Sequence, residues 1–133
     1  MIMSTHRLLL VEDSEFMTER VSTTLEQHHQ FSVTSVPTVA EARARIDEDD
    51  SLECVIANYD LPDGTGIDLV DWLRNDSEHP GLPFILLSGN SLEELATQGL
   101  EAGVSAFVSK TNDVSSSMDI FANRIRLAIA ASH

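Results

Sequence analysis

Five short runs rich in apolar or β-branched residues recur about every twenty-odd residues along the chain. They cover residues 8–11, 31–36, 52–57, 84–87 and 106–109, and the segments between them carry amphipathic helical patterns. Runs of this length are typical of buried strands. Connections long enough to hold a helix favour right-handed crossovers and a parallel sheet covered on both faces. The chain is therefore predicted to form an α/β domain in which five strands alternate with five helices.

The third run passes directly into the most distinctive stretch of the chain. Residues 54–66 read Cys-Val-Ile-Ala-Asn-Tyr-Asp-Leu-Pro-Asp-Gly-Thr-Gly, so the strand ends at Asn58, and a Leu-Pro pair and a Gly-x-Gly turn follow. In an open parallel sheet, ligand and reaction sites are built at the carboxyl ends of the strands. The chemistry available to this protein is therefore expected to depend on Asn58 and its neighbours.

Polar side chains follow four of the five runs. They are Glu12 and Asp13 after the first, Asn58 at the end of the third, Ser88 after the fourth and Lys110 after the fifth. The acidic pair suits Mg²⁺, a hard cation that takes oxygen ligands, and the backbone carbonyl of Asp60 would add another. The hydroxyl of Ser88 would bond an oxyanion, and Lys110 would partly neutralise the cluster. Each residue alone is more often a cap, a turn residue or a surface charge, but four strand ends at one edge favour a shared site.

Composition narrows the classes of function. The formal net charge is -14, from 22 acidic and 8 basic residues, which argues against a direct nucleic-acid partner because phosphate contacts need a basic face. Cys54 is the only cysteine, so neither an internal disulfide nor a multi-cysteine metal site is expected. No stretch approaches the length of a membrane span, and we expect a cytoplasmic protein. A high acid content with one lysine resembles proteins of salt-loving organisms; an ordinary acidic cytosolic protein is the alternative.

Four segments together resemble the receiver domain of two-component response regulators. They are Leu-Leu-Leu-Val-Glu-Asp-Ser at 8–14, Leu-Pro-Asp-Gly-Thr-Gly at 61–66, Phe-Ile-Leu-Leu-Ser-Gly at 84–89 and Ala-Gly-Val-Ser-Ala-Phe-Val-Ser-Lys at 102–110. The resemblance covers nearly the whole chain in the right order. It implies a flavodoxin-like, doubly wound, five-stranded parallel sheet with strand order 2-1-3-4-5. It also implies one stand-alone receiver-like domain over residues 1–133.

The resemblance implies roles for the residues at the edge of the sheet. In the family, an Asp at the end of the third strand accepts a phosphoryl group from a histidine kinase, supported by Mg²⁺. Carried over, Glu12, Asp13 and the carbonyl of Asp60 would hold the cation. Ser88 and Lys110 would bind phosphoryl oxygens. Ser88 and Phe107 would form the switch that reports to the face made by helix 4, strand 5 and helix 5, through which a homodimer is possible.

The chain departs from the family at the phosphoacceptor. Counting back four residues from Pro62, the family's spacing, leads to Asn58, whose neutral amide is not a nucleophile. The loss of a negative charge should also weaken Mg²⁺ binding. A second departure is Thr111, where the family usually has a proline after the lysine. We therefore predict a degenerate receiver that is not an enzyme and signals through protein contacts without aspartyl phosphorylation.

Two other interpretations stay open. The protein would be an ordinary Mg²⁺-dependent phospho-accepting receiver if Asn58 were an engineered substitution of the acceptor Asp. A small-molecule module of flavin-binding type is less favoured, because Glu12 and Asp13 would repel a phosphate after the first strand, where such a site needs backbone donors or glycine.

Overall fold

A parallel sheet forms the centre of the molecule. The computed structural model describes residues 6–28, 31–89, 92–109 and 118–131. The strands of the sheet are β1 (His6–Val11), β2 (Phe31–Val36), β3 (Cys54–Asn58), β6 (Phe84–Ser88) and β7 (Ala106–Ser109). Their order is β2-β1-β3-β6-β7, and every neighbouring pair is parallel. When the strands of this sheet are counted alone, the order is the predicted 2-1-3-4-5, and the predicted fold class is confirmed.

Four of the helices connect successive strands of the sheet along the chain, and the fifth follows the last strand. They are α1 (Glu15–His28), α2 (Val39–Glu48), α3 (Gly66–Asp76), α4 (Leu92–Ala102) and α5 (Met118–Ala131). None of the helices in the described ranges is long and apolar enough to cross a bilayer.

Both faces of the sheet are buried. Leu8 and Leu10 of β1 belong to one hydrophobic cluster, and Leu9 and Val11 to another, because successive side chains of a strand point to opposite faces. The first cluster includes apolar side chains of α1 and α5, and the second includes those of α2 and α3. Two covered faces explain why the strands are continuous apolar runs rather than alternating ones.

A small hairpin follows β3 and was not predicted from the sequence. Its strands are β4 (Asp60–Leu61) and β5 (Gly64–Thr65), which pair antiparallel and lie outside the main sheet. Thr65 then caps α3: its hydroxyl accepts from the backbone N–H of Asp68, while the Asp68 carboxylate accepts from the N–H of Thr65. This reciprocal capping box begins α3 immediately after the hairpin.

The guanidinium of Arg74 joins the end of α3 to two connecting segments. It donates to the backbone carbonyls of Gly103, Pro80 and Leu82. Burial lowers the pKa of Arg74 from its ordinary value. Gly103 directly follows α4 with a φ of 102°, a conformation that glycine adopts readily at the end of a helix. The donors of Arg74 thus connect α3 to the segments that precede β6 and β7.

Candidate functional site

Glu12 directly follows β1 and is almost completely buried, with 3% of its surface exposed. Its backbone N–H donates to the carbonyl of Val36 and so continues the β1–β2 pairing by one residue. Its Oε1 accepts from the N–H of Ser14 at 3.2 Å, and its carbonyl accepts from the hydroxyl of Thr18. The start of α1 therefore holds the Glu12 carboxylate at the carboxyl edge of the sheet.

Asp13 differs from Glu12 in its exposure. Its side chain is exposed, whereas that of Glu12 is buried. The two residues line one end of an open groove of about 540 Å³ between α1 and β2. Glu15 and Glu19 of α1 line the same groove, so its negative charge continues away from the edge of the sheet. The predicted acidic pair thus consists of one interior and one solvent-facing carboxylate.

Asn58 is the last residue of β3 and lies against Glu12. It is 7% exposed, and its Nδ2 donates to Oε1 of Glu12 at 3.3 Å and to the backbone carbonyl of Asp60 at 2.7 Å. A carboxylate and a carbonyl can only accept, so their positions determine that the amide nitrogen, and not Oδ1, faces them. The structure thus brings together three of the predicted site groups: the Glu12 carboxylate, the Asn58 side chain and the Asp60 carbonyl.

The β4–β5 hairpin positions the Asp60 carbonyl. Asp60 pairs with Thr65, and the N–H of Gly66 donates to the carbonyl of Tyr59 at 2.9 Å. Asp60 itself is exposed, and its carbonyl is the group that contacts the Asn58 side chain. Gly66 is needed here because a Cβ would lie 2.7 Å from the carbonyl oxygen of Asn58.

Asp63, in the turn of the hairpin, was not predicted as a site residue, and it joins the hairpin to α2. Its two carboxylate oxygens accept from the backbone N–H groups of Val39 at 2.8 Å and Ala40 at 3.0 Å. These bonds to the first turn of α2 lower the pKa of the Asp63 carboxyl, because they favour its charged form. The sequence signal was the Pro-Asp-Gly turn at 62–64, which is typical of a hairpin but gives no indication of the contact with α2.

Two of the remaining predicted residues lie on β6, which is beside β3, and on β7, the next strand of the sheet. Ser88 ends β6, is 1% exposed and pairs in register with Ser109 of β7. Leu87 pairs with Asn58, so Ser88 lies one residue beyond Asn58 on the adjacent strand. Phe107 is half-buried, and a Cβ on Gly99 of α4 would lie 2.7 Å from its ring. The predicted lysine, Lys110, lies outside the described residues.

The groups present do not make a ready Mg²⁺ site. Within the described ranges, no group of three or more His, Cys, Asp or Glu side chains is arranged to hold a metal ion. Two of the predicted ligand oxygens, Oε1 of Glu12 and the carbonyl of Asp60, instead accept from the amide of Asn58. Mg²⁺ needs near-octahedral oxygen ligands, and an N–H donor between them does not supply one.

The strand order and the polar edge define the class of the protein: a doubly wound α/β domain with a site where β1 and β3 end. The model of the family described as "Response regulator receiver domain" matches residues 8–121. The chain belongs to this family. Receiver domains generally bind Mg²⁺ at the acidic pocket and interact with histidine kinases.

Individual relatives agree with the family. The chain is 27% identical over 104 residues to the chemotaxis protein CheY1 of Helicobacter pylori, covering 78% of this chain and 84% of that protein. It is 29% identical over 125 residues to the response regulator protein PilR of Pseudomonas aeruginosa, covering 94% of this chain but 27% of that protein. A solved sensor protein from Polaromonas sp. JS666 has the same fold, with a TM-score of 0.85, 22% identity and coverage of 98% and 100%.

Proposed function

We propose that this chain is a degenerate receiver domain that signals through protein contacts and does not accept a phosphoryl group. The observation that carries the proposal is the side chain of Asn58. It occupies the acceptor position at the end of β3, and its nitrogen donates to Glu12 and to the Asp60 carbonyl. The nitrogen lone pair of an amide is delocalised into its carbonyl and is not available to attack phosphorus, and the amide oxygen is far less nucleophilic than a carboxylate. On this proposal the domain is not an enzyme and works as a partner of other signalling proteins.

Intact-mass measurement after incubation with acetyl phosphate and Mg²⁺ tests the proposal. The wild-type mass should stay unchanged. Asn58→Asp should gain one phosphoryl group, because its carboxylate oxygen forms a bond to phosphorus while the bond from phosphorus to the departing acetate breaks. Asn75→Asp, which creates a carboxylate on the exposed surface of α3, is the matched control and should gain none. A stoichiometric adduct on the wild type, at Asp13 or Asp60, would overturn the proposal.

A face for these protein contacts is formed by α4, β7 and α5, and we propose that it mediates a homodimer. Leu100 of α4 and Leu127 of α5 are large apolar side chains that are 67% and 69% exposed. Leu127 also lines a groove of about 600 Å³ that includes Phe107 of the proposed switch. An apolar surface next to Phe107 would make dimerisation depend on the state of the switch.

Sedimentation velocity tests the homodimer. Leu127→Asp should shift the protein toward the monomer, since it places a charge in the apolar contact. Phe16→Asp is the control, because Phe16 is as exposed, at 71%, but lies on α1. A wild type that stays monomeric at high concentration would contradict the homodimer.

The acidic surface belongs to the same proposal. With a net charge of -14, the acidic side chains of the domain repel one another at low ionic strength. Salt screens this repulsion and so stabilises the folded domain, which suits a cytoplasm rich in salt.

A further inference from the structure

The amide of Asn58 makes the contacts that a cation would make at this edge of the sheet. Its Nδ2 lies 3.3 Å from Oε1 of Glu12 and 2.7 Å from the carbonyl of Asp60. The first hydrogen bond is buried and the second is partly buried. The NH₂ group has two N–H bonds, so each acceptor takes one of them. One neutral group thereby connects the β1–α1 loop, the end of β3 and the hairpin.

A divalent cation that took Oε1 of Glu12 and the Asp60 carbonyl as ligands would have to displace these hydrogen bonds. The Asp60 carbonyl and Oε1 of Glu12 would need to turn their lone pairs to the metal, while the amide hydrogens would point at a positive charge. Oε1 of Glu12 also accepts from the N–H of Ser14, so this oxygen already has two donors. Rotation of the amide to present Oδ1 would give up both donor contacts of Asn58 and return only a neutral ligand.

The charge balance also favours the amide over a cation at this edge of the sheet. A carboxylate at position 58 would face the Glu12 carboxylate and the Asp60 carbonyl, groups that only accept hydrogen bonds, so this arrangement would favour a bound cation. The amide removes one negative charge and supplies two donors to the same oxygens. The edge is thus neutralised in part by the chain itself, without a bound ion.

We propose that the side-chain amide of Asn58 replaces the divalent cation of this site, so that the edge keeps one arrangement whether or not Mg²⁺ is present. The proposal deepens the function proposed above and rests on the same site. It assigns Asn58 a structural role beyond the loss of a nucleophile: its side-chain amide is a bridge that links the Glu12 carboxylate to the Asp60 carbonyl.

Mg²⁺ titration followed by ¹H–¹⁵N spectra tests the bridge on the wild-type protein. Asn75 provides an internal reference, because its Nδ2 donates to a carbonyl and a carboxylate oxygen of Asp71 in the same way, but on the exposed surface. We expect the Asn58 side-chain signals to move no more than those of Asn75 when MgCl₂ replaces NaCl at equal ionic strength. Saturable shifts confined to Asn58, Glu12 and Asp60 would overturn the proposal.

Thermal unfolding of Asn58→Asp is the second measurement. Without Mg²⁺ the variant should unfold at a lower temperature than the wild type, and Mg²⁺ should restore it, with an affinity at least about tenfold tighter than any wild-type binding. Asn75→Asp, which adds the same charge on the exposed surface beside Asp71, should show no restoration by Mg²⁺. Equal Mg²⁺ responses of the wild type and Asn58→Asp would overturn the proposal. If Asn58→Asp does not fold even with Mg²⁺, the wild-type spectra decide alone.

The two proposals fail in different experiments. Saturable Mg²⁺ binding by a wild type that takes no phosphoryl group would refute the proposed role of the Asn58 amide and leave the proposed function intact. Phosphorylation of the wild type would remove the proposed function, whatever the result of the Mg²⁺ titration.

Discussion

Gly66 is predicted to be the least replaceable glycine near the site. It begins α3, and a Cβ at this position would lie 2.7 Å from the carbonyl oxygen of Asn58 and 2.6 Å from Cδ1 of Leu86. The first contact is with the backbone of a central strand, and Leu86 is completely buried. Neither neighbour can move away easily, so Gly66→Ala should force β3 and α3 apart where Asn58 is held.

The expected cost follows from two opposing effects. Overpacking a buried position costs about 1–3 kcal/mol. Alanine is favoured over glycine by at most about 1 kcal/mol in a helix interior, and by less at a first residue. We therefore expect Gly66→Ala to lower the free energy of unfolding by about 1–2 kcal/mol. With an m-value near 2 kcal/mol/M, the urea midpoint should fall by about 0.5–1 M.

Urea denaturation followed by circular dichroism measures this loss, with two other glycines as controls. At Gly64 the nearest atom to a new Cβ would be Oδ2 of Asp68 at 3.2 Å, a flexible side chain that can shift, so Gly64→Ala should cost less. At Gly81 no atom lies within 4 Å, and Gly81→Ala should be neutral or slightly stabilising. Equal midpoints for the wild type and Gly66→Ala, at an unchanged m-value, would refute the steric argument.

Three further predictions concern contacts around the site. Gly99→Ala should lower the free energy of unfolding by about 1 kcal/mol, since its Cβ would lie 2.7 Å from the Phe107 ring. In a double-mutant cycle, Phe107→Leu should relieve this loss. Strictly additive effects of the two substitutions would contradict the contact. Asp63→Asn should cost about 1 kcal/mol at neutral pH, as loss of a helix cap does. Because its folded pKa is below the ordinary 3.8, the Asp63 contribution is present at neutral pH and disappears as the pH falls through about 4 and below. The stability difference between the wild type and Asp63→Asn should shrink there, and a constant difference down to pH 2 would contradict this cause. Arg74→Lys should lower the free energy of unfolding, measured by urea denaturation, by about 2 kcal/mol although the charge remains. One ammonium cannot serve the three carbonyls that the broader guanidinium reaches. A variant as stable as the wild type would contradict this prediction.

The main strands and their order were predictable because they depend on local patterns and a family likeness. A parallel strand with both faces covered is a short apolar run, so β1, with Leu8 to Val11, and β6, with Phe84 to Leu87, could be located directly. The strand order came from the resemblance, since periodicity alone does not specify which runs are neighbours.

The contacts between distant segments were not predictable. Arg74 and Gly103 are 29 residues apart, and no local pattern shows that a guanidinium meets a carbonyl at that distance. The same holds for Asp63 and the start of α2, 24 residues away. At the site, the sequence showed that Asn58 lacks a nucleophile. That its nitrogen would connect two separate acceptors depends on the position of the Asp60 carbonyl, which the unpredicted hairpin determines.

The most direct test of the account is a pair of ¹H–¹⁵N spectra of the wild type, recorded with and without acetyl phosphate plus Mg²⁺. The account predicts that the backbone signals of Ser88 and Phe107 stay in place in the wild type and move in Asn58→Asp. Movement of both signals in the wild type would show that the site still accepts a phosphoryl group or a cation, and would contradict the claim that Asn58 keeps it in one state.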